Sequence, residues 1–318
     1  MSVVSAPNGL QQGPRRAPAL AVVIVTYNSA SVLPTLLDSL PAGLLGIVDW
    51  RVFVVDNDSR DESVELAEAH PIGPTVIRMG RNAGYAAAIN MAAASAGPDA
   101  DLLVLNADLA LCTEAVRPLA ERLAAPSAGI AVPRNFRPDG TTDATLRREP
   151  SLRRVWAEAV LGGKLAARLG LSEVIGDPAR YDRPGTVEWA SGSALLIASR
   201  ARRAVGSWDE SFFLYSEEVD YQRRVREAGF EIIYEPRSHV IHECGESGSN
   251  PRLFALMTAN RIRHYGRHHG ALLTFLFRMG IVLGEAARWW RGSVHRAGLC
   301  SAITPLKPVA EFLADPPR

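Results

Sequence analysis

Two polar residues follow directly on the aliphatic run at residues 102–105, in the stretch DLLVLNADLAL. Asn106 and Asp108 could simply end a strand, because Asn and Asp side chains bond their own backbone in turns. A second chemistry is open to them. A nucleotide diphosphate leaves readily only when its charge is neutralised, which Mg²⁺ or Mn²⁺ does with one or two protein oxygens. Asp108 is therefore a candidate metal ligand, and Asn106 offers a weaker carbonyl oxygen.

Polar side chains also follow two earlier aliphatic runs. The segment VTYNS contains Thr26, Tyr27 and Asn28, and the segment VVDNDSRD contains Asp56 and Asp58. A carboxylate at this place suits hydrogen bonds from a base or a ribose, although taken alone it is more often explained by an Asx-turn or a helix N-cap. Neither G-x-G-x-x-G nor G-K-[ST] occurs at the first strand–helix turn, which argues against a dinucleotide-binding dehydrogenase and a P-loop kinase.

A group of carboxylates lies in the segment GSWDESFFLYSEEVDYQRR. Ser216 is predicted as the N-cap of a helix whose first turn contains Glu217, Glu218 and Asp220. Acidic residues are favoured at helix N-termini by the macrodipole, so a purely structural role is open. One of them could instead act as a general base that takes a proton from an acceptor hydroxyl.

Basic and imidazole side chains follow. His239 and His242 are three residues apart, and with Cys244 they weakly suggest zinc. A histidine that completes a site with Asp108 would favour Mn²⁺ over Mg²⁺. Further on, the guanidinium group of Arg261 could meet a phosphate bidentately or belong to a solvated helix face.

The elements that must position these residues alternate along the chain. Short β-branched runs and helical patterns take turns up to residue 132, which is typical of parallel βαβ units. The predicted strands are residues 21–26, 51–55, 75–78, 102–106 and 129–132. The predicted helices are residues 31–39, 61–69, 83–95 and 113–123. In such sheets ligands collect beyond the carboxyl ends of the strands, where the polar residues lie.

Beyond residue 133 the pattern loosens. One or two basic amphipathic helices are predicted over residues 151–171, β structure over 187–197 and a helix over 217–228 that Gly229 ends. A strand is predicted at EIIYEP, a helix over residues 253–267 and a last helix over 272–291. That last helix carries two Trp and three Arg residues, so it could lie at a lipid surface, or pack on the catalytic domain or on a second subunit of a homodimer.

Composition limits the remaining options. The chain has 318 residues, 47% hydrophobic residues, a net charge of +1 and three cysteines. It can build one large or two modest domains, and the few cysteines favour a reducing cytoplasm. A nucleic-acid partner would require a broader basic surface. Residues 1–18 are predicted to be a flexible lead-in, and no run reaches the roughly 20 apolar residues of a spanning helix.

Taken together, the motifs VVIVTYNS, VVDNDSRD, RNAGYAAAIN, VLNAD, the SEEVD helix, HVIHECGES and NRIRHYGRHHG resemble the inverting glycosyltransferase family 2 over about residues 19–270. The resemblance implies a GT-A fold, an α/β architecture with a mostly parallel central sheet and additional C-terminal helices. Residues 271–318 would then form a C-terminal amphipathic helix and tail. Within the family the chain is most similar to the rhamnosyltransferase-like branch.

The resemblance also implies an activity. The branch includes enzymes that add L-rhamnose from dTDP-rhamnose to a polyprenyl-diphosphate-linked sugar or another cell-envelope glycan. One alternative is a transferase that uses another nucleotide sugar, such as UDP-galactofuranose, UDP-glucose or UDP-N-acetylglucosamine. The other is a non-catalytic homologue that binds a nucleotide sugar. The implied location is the cytoplasm, at the inner face of the plasma membrane if the last helix meets lipid.

Roles follow from the resemblance position by position. Asp108 matches the last aspartate of the family's D-x-D metal motif, whose first position is Asn106 here, and His242 matches a histidine that completes the Mn²⁺ or Mg²⁺ site. Glu218 matches the catalytic base. The residues matched to the binding of the nucleotide sugar and its diphosphate are Thr26, Tyr27, Asn28, Asp56, Asp58, Asn82, Gly84, Tyr85, Asn106 and Arg261.

Overall fold

The computed structural model of the protein describes residues 19–243 and 249–306. The predicted lead-in at residues 1–18, Cys244 and the end of the tail at residues 307–318 lie outside the described residues.

The described residues form strands and helices in the following order. The strands are β1 Leu20–Thr26, β2 Trp50–Asp56, β3 Thr75–Arg78, β4 Asp101–Asn106, β5 Leu109–Leu111, β6 Ala128–Phe136, β7 Leu146–Arg147, β8 Gly185–Val187, β9 Trp189–Ala190, β10 Ala194–Ile197 and β11 Glu231–His242. The helices are α1 Leu33–Gly43, α2 Ser63–Ala69, α3 Tyr85–Ala96, α4 Val116–Leu123, α5 Leu152–Leu161, α6 Gly163–Arg168, α7 Ser199–Val205, α8 Glu217–Glu227, α9 Pro251–His268, α10 Ala271–Ala286 and α11 Ser293–Ile303.

The central sheet has the strand order β3-β2-β1-β4-β10-β6-β11-β5, and β8 pairs with β11. The pairs β1–β2, β1–β4 and β2–β3 are parallel, as predicted for the first half of the chain. All residues of β1 are buried, because helices cover both faces of this half of the sheet. The five strands and four helices predicted up to residue 132 are confirmed, with ends that differ by a few residues.

The second half of the sheet is mixed. β10 runs antiparallel to both β4 and β6, whereas β11 runs parallel to β6. The strands β1, β2, β4, β6 and β11 therefore all point the same way, and their carboxyl ends share one edge of the sheet. This arrangement brings the end of β11 to the edge where the βαβ half already presents its polar residues.

The ends of α8 differ in how well the sequence predicts them. Gly229 has φ +88° and the N–H group of Phe230 donates to the carbonyl of Val225 at 3.2 Å, so the predicted C-terminal stop is confirmed. Ser216 occupies the predicted N-cap position, and Glu217, Glu218 and Asp220 lie in the first turn, but Ser216 does not cap the helix. Capping residues have extended backbone, but Ser216 has φ +75° and its side chain makes no capping hydrogen bond.

The last predicted helix, residues 272–291, is also wrong in its extent. α10 ends at Ala286, Trp289–Arg291 form a short 3₁₀ turn, and Gly292 at φ +136° leads into α11, which the sequence did not predict. A second apolar cluster joins these helices to α5; its buried members are Val155, Ile262, Tyr265, Phe277, Ile281 and Ala302. One face of α10 therefore packs on the rest of the chain. Among the described residues, no helix combines the length and the hydropathy needed to cross a membrane.

Candidate active site

A continuous cleft follows the carboxyl edge of the sheet. At one end it is lined by Tyr27, Asn57, Asn82 and Gly84, which follow β1, β2 and β3. At the other end is a cavity of about 400 Å³ that contains Glu217, Glu218 and His242. The two ends share the lining residues Tyr85, Asn106, Asp108 and Leu214. The structure thus brings Asp108 and Glu218, which are far apart in the chain, into one cavity.

Four of the residues matched to nucleotide binding, Thr26, Asn28, Asp56 and Asp58, are not among the residues that line this cleft. The carboxylate of Asp56 is buried and accepts hydrogen bonds from the N–H groups of Asp58 at 3.1 Å and Ser59 at 3.0 Å, and from the Thr26 hydroxyl at 3.1 Å. This is the Asx-turn that the sequence left open. The amide oxygen of Asn28 accepts from the N–H of Arg60 at 2.8 Å, which ties together the loops after β1 and β2.

The loop before α3 lies against the loop before α8. Gly84 has φ +92°, and a Cβ atom there would stand 2.5 Å from the carbonyl oxygen of Phe213. The N–H group of Tyr85 donates to that same carbonyl at 2.7 Å. Asn57 fixes the loop by donating a hydrogen bond to the carbonyl of Gly84 at 3.2 Å. The sequence assigned no role to this residue. Its only signal is its position beside Asp56 at a strand end.

A carboxylate and an imidazole meet on the floor of the cleft. In the antiparallel pair β5–β11, His242 is the register partner of Leu109, so it lies beside Asp108. The Nε2 atom of His242 is 3.3 Å from the Oδ1 atom of Asp108. Two ligands of one divalent ion, at right angles with bonds of about 2.1 Å, stand about 3 Å apart. The donor set and its spacing therefore fit Mn²⁺ or Mg²⁺.

Asn106, the variant position of the D-x-D motif, is held by Tyr85. The Tyr85 hydroxyl donates to the amide oxygen of Asn106 at 2.9 Å. A carbonyl oxygen has two lone pairs, so one remains for a cation or a ligand hydroxyl. Burial, together with the carboxylates of Glu217 and Glu218, raises the pKa of Tyr85 well above its usual value, which keeps this hydroxyl a donor.

The loop that delivers the glutamates is strained. Phe213, Tyr215 and Ser216 have φ values of +64°, +67° and +75°, a region that residues with a side chain seldom adopt. The side-chain amide of buried Asn260, on α9, donates to the carbonyls of Phe212, Leu214 and Tyr215 at 2.7, 2.8 and 3.1 Å. Backbone strain of this kind persists only where surrounding contacts enforce it.

The two glutamates differ in their charge environment. Burial and then the charge of Glu218 raise the pKa of Glu217 well above its usual value. Burial also raises the pKa of Glu218, but the guanidinium group of Arg147 acts in the opposite direction on this carboxyl. Of the two carboxyls, Glu217 therefore has the more strongly raised pKa, and Glu218 is the one that ionises first as the pH rises.

A second cavity adjoins the first beyond Glu218. Arg147 and Trp189 line both cavities, and Phe254, Met257 and Ile281 give the second one an apolar wall. Arg261 lines only the second cavity, where its guanidinium group pairs with Glu158 at 3.1 Å and with Glu173. Two carboxylates thus offset the charge of the arginine that the sequence matched to the diphosphate. The sequence assigned no role to Arg147, because its position on β7 gives no local signal.

The fold is that of GT-A glycosyltransferases. The structure of a mannosyltransferase from Pyrobaculum calidifontis, in complex with GDP-Man and Mn²⁺, superposes with a TM-score of 0.55 at 17% identity, covering 97% of this chain and 82% of that chain. The sequence profile of the family described as "Glycosyl transferase family 2" matches residues 21–176. Residues 21–176 of the chain therefore form a glycosyltransferase family 2 domain.

Two characterised relatives extend the comparison beyond the fold. The chain is 29% identical over 298 residues to the N-acetylglucosaminyl-diphospho-decaprenol L-rhamnosyltransferase of Mycobacterium tuberculosis, with 87% of this chain and 88% of that protein covered. It is 26% identical over 216 residues to the low-salt glycan biosynthesis hexosyltransferase Agl10 of Haloferax volcanii, with 67% of this chain and 63% of that protein covered. The protein is thus rhamnosyltransferase-like over most of its length.

Proposed function

We propose that the protein is an inverting, metal-dependent glycosyltransferase that moves L-rhamnose from dTDP-rhamnose to a hydroxyl group of a polyprenyl-diphosphate-linked sugar. The observation that carries this proposal is the single cavity that contains Asp108, His242 and Glu218. The mycobacterial relative supports the choice of sugar and acceptor, because it is named for rhamnosyl transfer to a lipid-linked diphosphate sugar.

Each part of the cleft has a role in this reaction. Tyr27 and Asn82 lie at the end where the nucleotide binds, and Asp108 with His242 would hold Mn²⁺ or Mg²⁺ near the diphosphate. The ion, when bound, neutralises the charge that develops on the leaving diphosphate. Glu218 takes the proton of the acceptor hydroxyl as its oxygen attacks the anomeric carbon from the opposite side. The new C–O bond forms as the bond to the diphosphate breaks, so the configuration is inverted.

The choice of Glu218 over Glu217 follows from protonation. A general base must be ionised before it can accept a proton, and Arg147 favours the ionised form of Glu218. Glu217 is buried and its pKa is raised further than that of Glu218, so it is the less suited of the two to act as the base.

The apolar wall beyond Glu218 suits a lipid-linked acceptor, and the surface next to it suits a membrane. Leu272, Phe275, Leu283 and Trp290 are exposed around α10 and its C-terminal turn. The only carboxylate in residues 271–306 is Glu285, whose side chain is 13% exposed and contacts His295. An apolar face flanked by Arg residues, with no exposed acid, favours anionic headgroups. We place the protein at the cytoplasmic face of the plasma membrane.

The activity is tested by transfer from dTDP-rhamnose to N-acetylglucosaminyl-diphospho-polyprenol with Mn²⁺ or Mg²⁺ present. We expect a rhamnosylated lipid whose anomeric configuration, measured by NMR, is opposite to that of the donor, and we expect EDTA to abolish its formation. Parallel reactions contain UDP-galactofuranose, UDP-glucose or UDP-N-acetylglucosamine. Faster transfer from one of these would replace the sugar in the proposal, and donor binding without any transfer would establish a non-catalytic binding protein.

Membrane contact is tested separately by flotation with vesicles that contain phosphatidylglycerol. We expect wild-type protein to float, and Phe275→Glu and Trp290→Glu each to reduce the floated fraction. Val48→Glu is the matched control, because Val48 is 81% exposed but lies outside the α10 surface. Equal flotation of all three variants would remove the proposed membrane face. Analytical ultracentrifugation of the same samples reports whether the face joins two subunits in a homodimer instead.

A further inference from the structure

Two helices that carry site residues meet again behind the catalytic cleft. Asp220 of α8 approaches His264 and His268, which are four residues apart on α9 and so share one face of that helix. One ligand atom from each of the three side chains lies within 4.8 Å of the other two. This cluster is distinct from the Asp108–His242 pair and has no role in the proposed reaction.

Among the described residues, one imidazole nitrogen of each histidine in the cluster is buried without a hydrogen-bond partner. His264 is 2% exposed, and its Nδ1 atom is buried without a hydrogen-bond partner. The Nε2 atom of His268 is buried in the same way, and it is 3.9 Å from the nearer oxygen of Asp220, too far for a hydrogen bond. Buried polar atoms are almost always paired, so two orphaned nitrogens beside one carboxylate indicate a ligand between them.

The protonation states leave both lone pairs available. Burial, reinforced by the neighbouring positive groups, lowers the pKa of His264 to about 3. Burial and then the charge of Arg223 lower the pKa of His268 as well. Burial therefore favours the neutral imidazole, which is the form that coordinates a metal.

We propose that Asp220, His264 and His268 bind a zinc ion that fastens α8 to α9. Two imidazole nitrogens and one carboxylate oxygen are ligands that Zn²⁺ accepts, with a fourth position for water. Tetrahedral bonds of about 2.0–2.1 Å put ligand atoms about 3.3 Å apart, so the side chains must close in slightly around the ion.

The surroundings of the cluster both support and limit this site. The second oxygen of Asp220 accepts a hydrogen bond from Arg224 at 2.9 Å, which orients the first oxygen toward the histidines, as outer contacts of metal ligands do. The positive charges of Arg223 and Arg267 oppose a cation, so we expect weaker binding than at a four-ligand structural site. Asp220 is two residues from Glu218, so zinc would help to fix the helix that carries the proposed base.

Zinc binding is measured on the full chain by titration with Zn²⁺, by metal analysis after gel filtration and by the visible spectrum with Co²⁺. We expect wild type to retain one Zn²⁺ that His268→Gln and Asp220→Asn lose, and Co²⁺ to give an intense tetrahedral band only when all three ligands are present. At 100 times Kd, Zn²⁺ should raise the Tm of wild type by about 4 °C and leave that of the variants unchanged.

Two control variants separate this site from others. His242→Gln removes a ligand of the proposed catalytic metal, and His295→Gln removes a histidine of α11; both should keep the zinc. His268 is the least buried of the three ligands, so His268→Gln is the variant expected to fold normally. The proposal is overturned if His242→Gln loses the zinc while His268→Gln keeps it, or if the wild-type protein retains no zinc at all. Neither outcome would bear on the proposed transfer reaction.

Discussion

Replacement of Asn260 by leucine tests how the strained loop before α8 positions the glutamates. The side-chain amide of Asn260 reaches three carbonyl groups of the loop, and it is completely buried. Leucine has nearly the same shape but no donor. The change therefore removes these hydrogen bonds, together with the one that the Asn260 oxygen accepts from Arg263, with little change in volume.

The magnitude follows from the donor count. A primary amide has two hydrogens, so the three contacts amount to two hydrogen bonds, one of them shared. The carbonyl of Phe212 keeps the N–H group of Leu214 as a donor. Loss of the two donated hydrogen bonds costs about 1–3 kcal/mol each, or about 2–6 kcal/mol for both. Phe213, Tyr215 and Ser216 all have positive φ and each hold about 1–3 kcal/mol of strain, of which the loop recovers a part by relaxing. We therefore expect a loss of stability at the lower end, about 2–3 kcal/mol, with Glu218 displaced from its place.

The loss of stability is measured by urea unfolding, and the displacement by steady-state transfer kinetics. A shift of about 1 Å at the reacting groups can lower a rate about 100-fold, so kcat should fall by about that factor while the Kd for dTDP-rhamnose stays near that of wild type. Leu37→Ala is the control. It empties a fully buried position of α1 and costs about 2–5 kcal/mol, but it leaves the loop alone. If Asn260→Leu and Leu37→Ala have the same kcat, the loop does not position the base.

Three further predictions concern the glutamates and the donor loop. Glu218→Gln should lower kcat about 10²–10⁴-fold without weakening donor binding. Glu217→Gln should lower kcat much less, because glutamine imitates a protonated glutamate. Single-turnover rates that fall equally in the two variants would contradict this assignment. Arg147→Met removes the cation that opposes the raised pKa of Glu218, so that pKa rises further. Because the base must be deprotonated, the acid limb of the pH–kcat profile should move to higher pH, and an unmoved limb would refute the role of Arg147. Gly84→Ala should weaken donor binding and lower the Tm more than Gly80→Ala does, since both have positive φ but only Gly84 contacts a neighbouring backbone; equal Tm values would show that the contact is unimportant.

The first half of the sheet, from β1 to β4, could be predicted from the sequence because its signals are local. Uninterrupted aliphatic runs and helical spacing define β1 to β4 and their helices, and the polar residues after each run necessarily lie at one edge of a parallel sheet. Asp108 was found in this way, whereas Tyr85 was matched through the resemblance to the family. Local patterns did not decide whether the carboxylate of Asp56 forms an Asx-turn. This depends on which hydrogen-bond donors the fold places around that carboxylate.

Which residues come together around Asp108 and Glu218 was decided by the tertiary structure. His242 meets Asp108 only because β11 inserts between β6 and β5, and Arg147 reaches Glu218 only because β7 and β9 pair beside the cleft. The environment of Arg261, the arginine matched to the diphosphate, also depends on the tertiary structure, because two carboxylates from distant segments offset its charge. Residue type and spacing determine which elements form, since those depend on neighbours in the chain. Which charges meet, and hence which glutamate ionises, depends on strand order and burial, which are properties of the folded molecule alone.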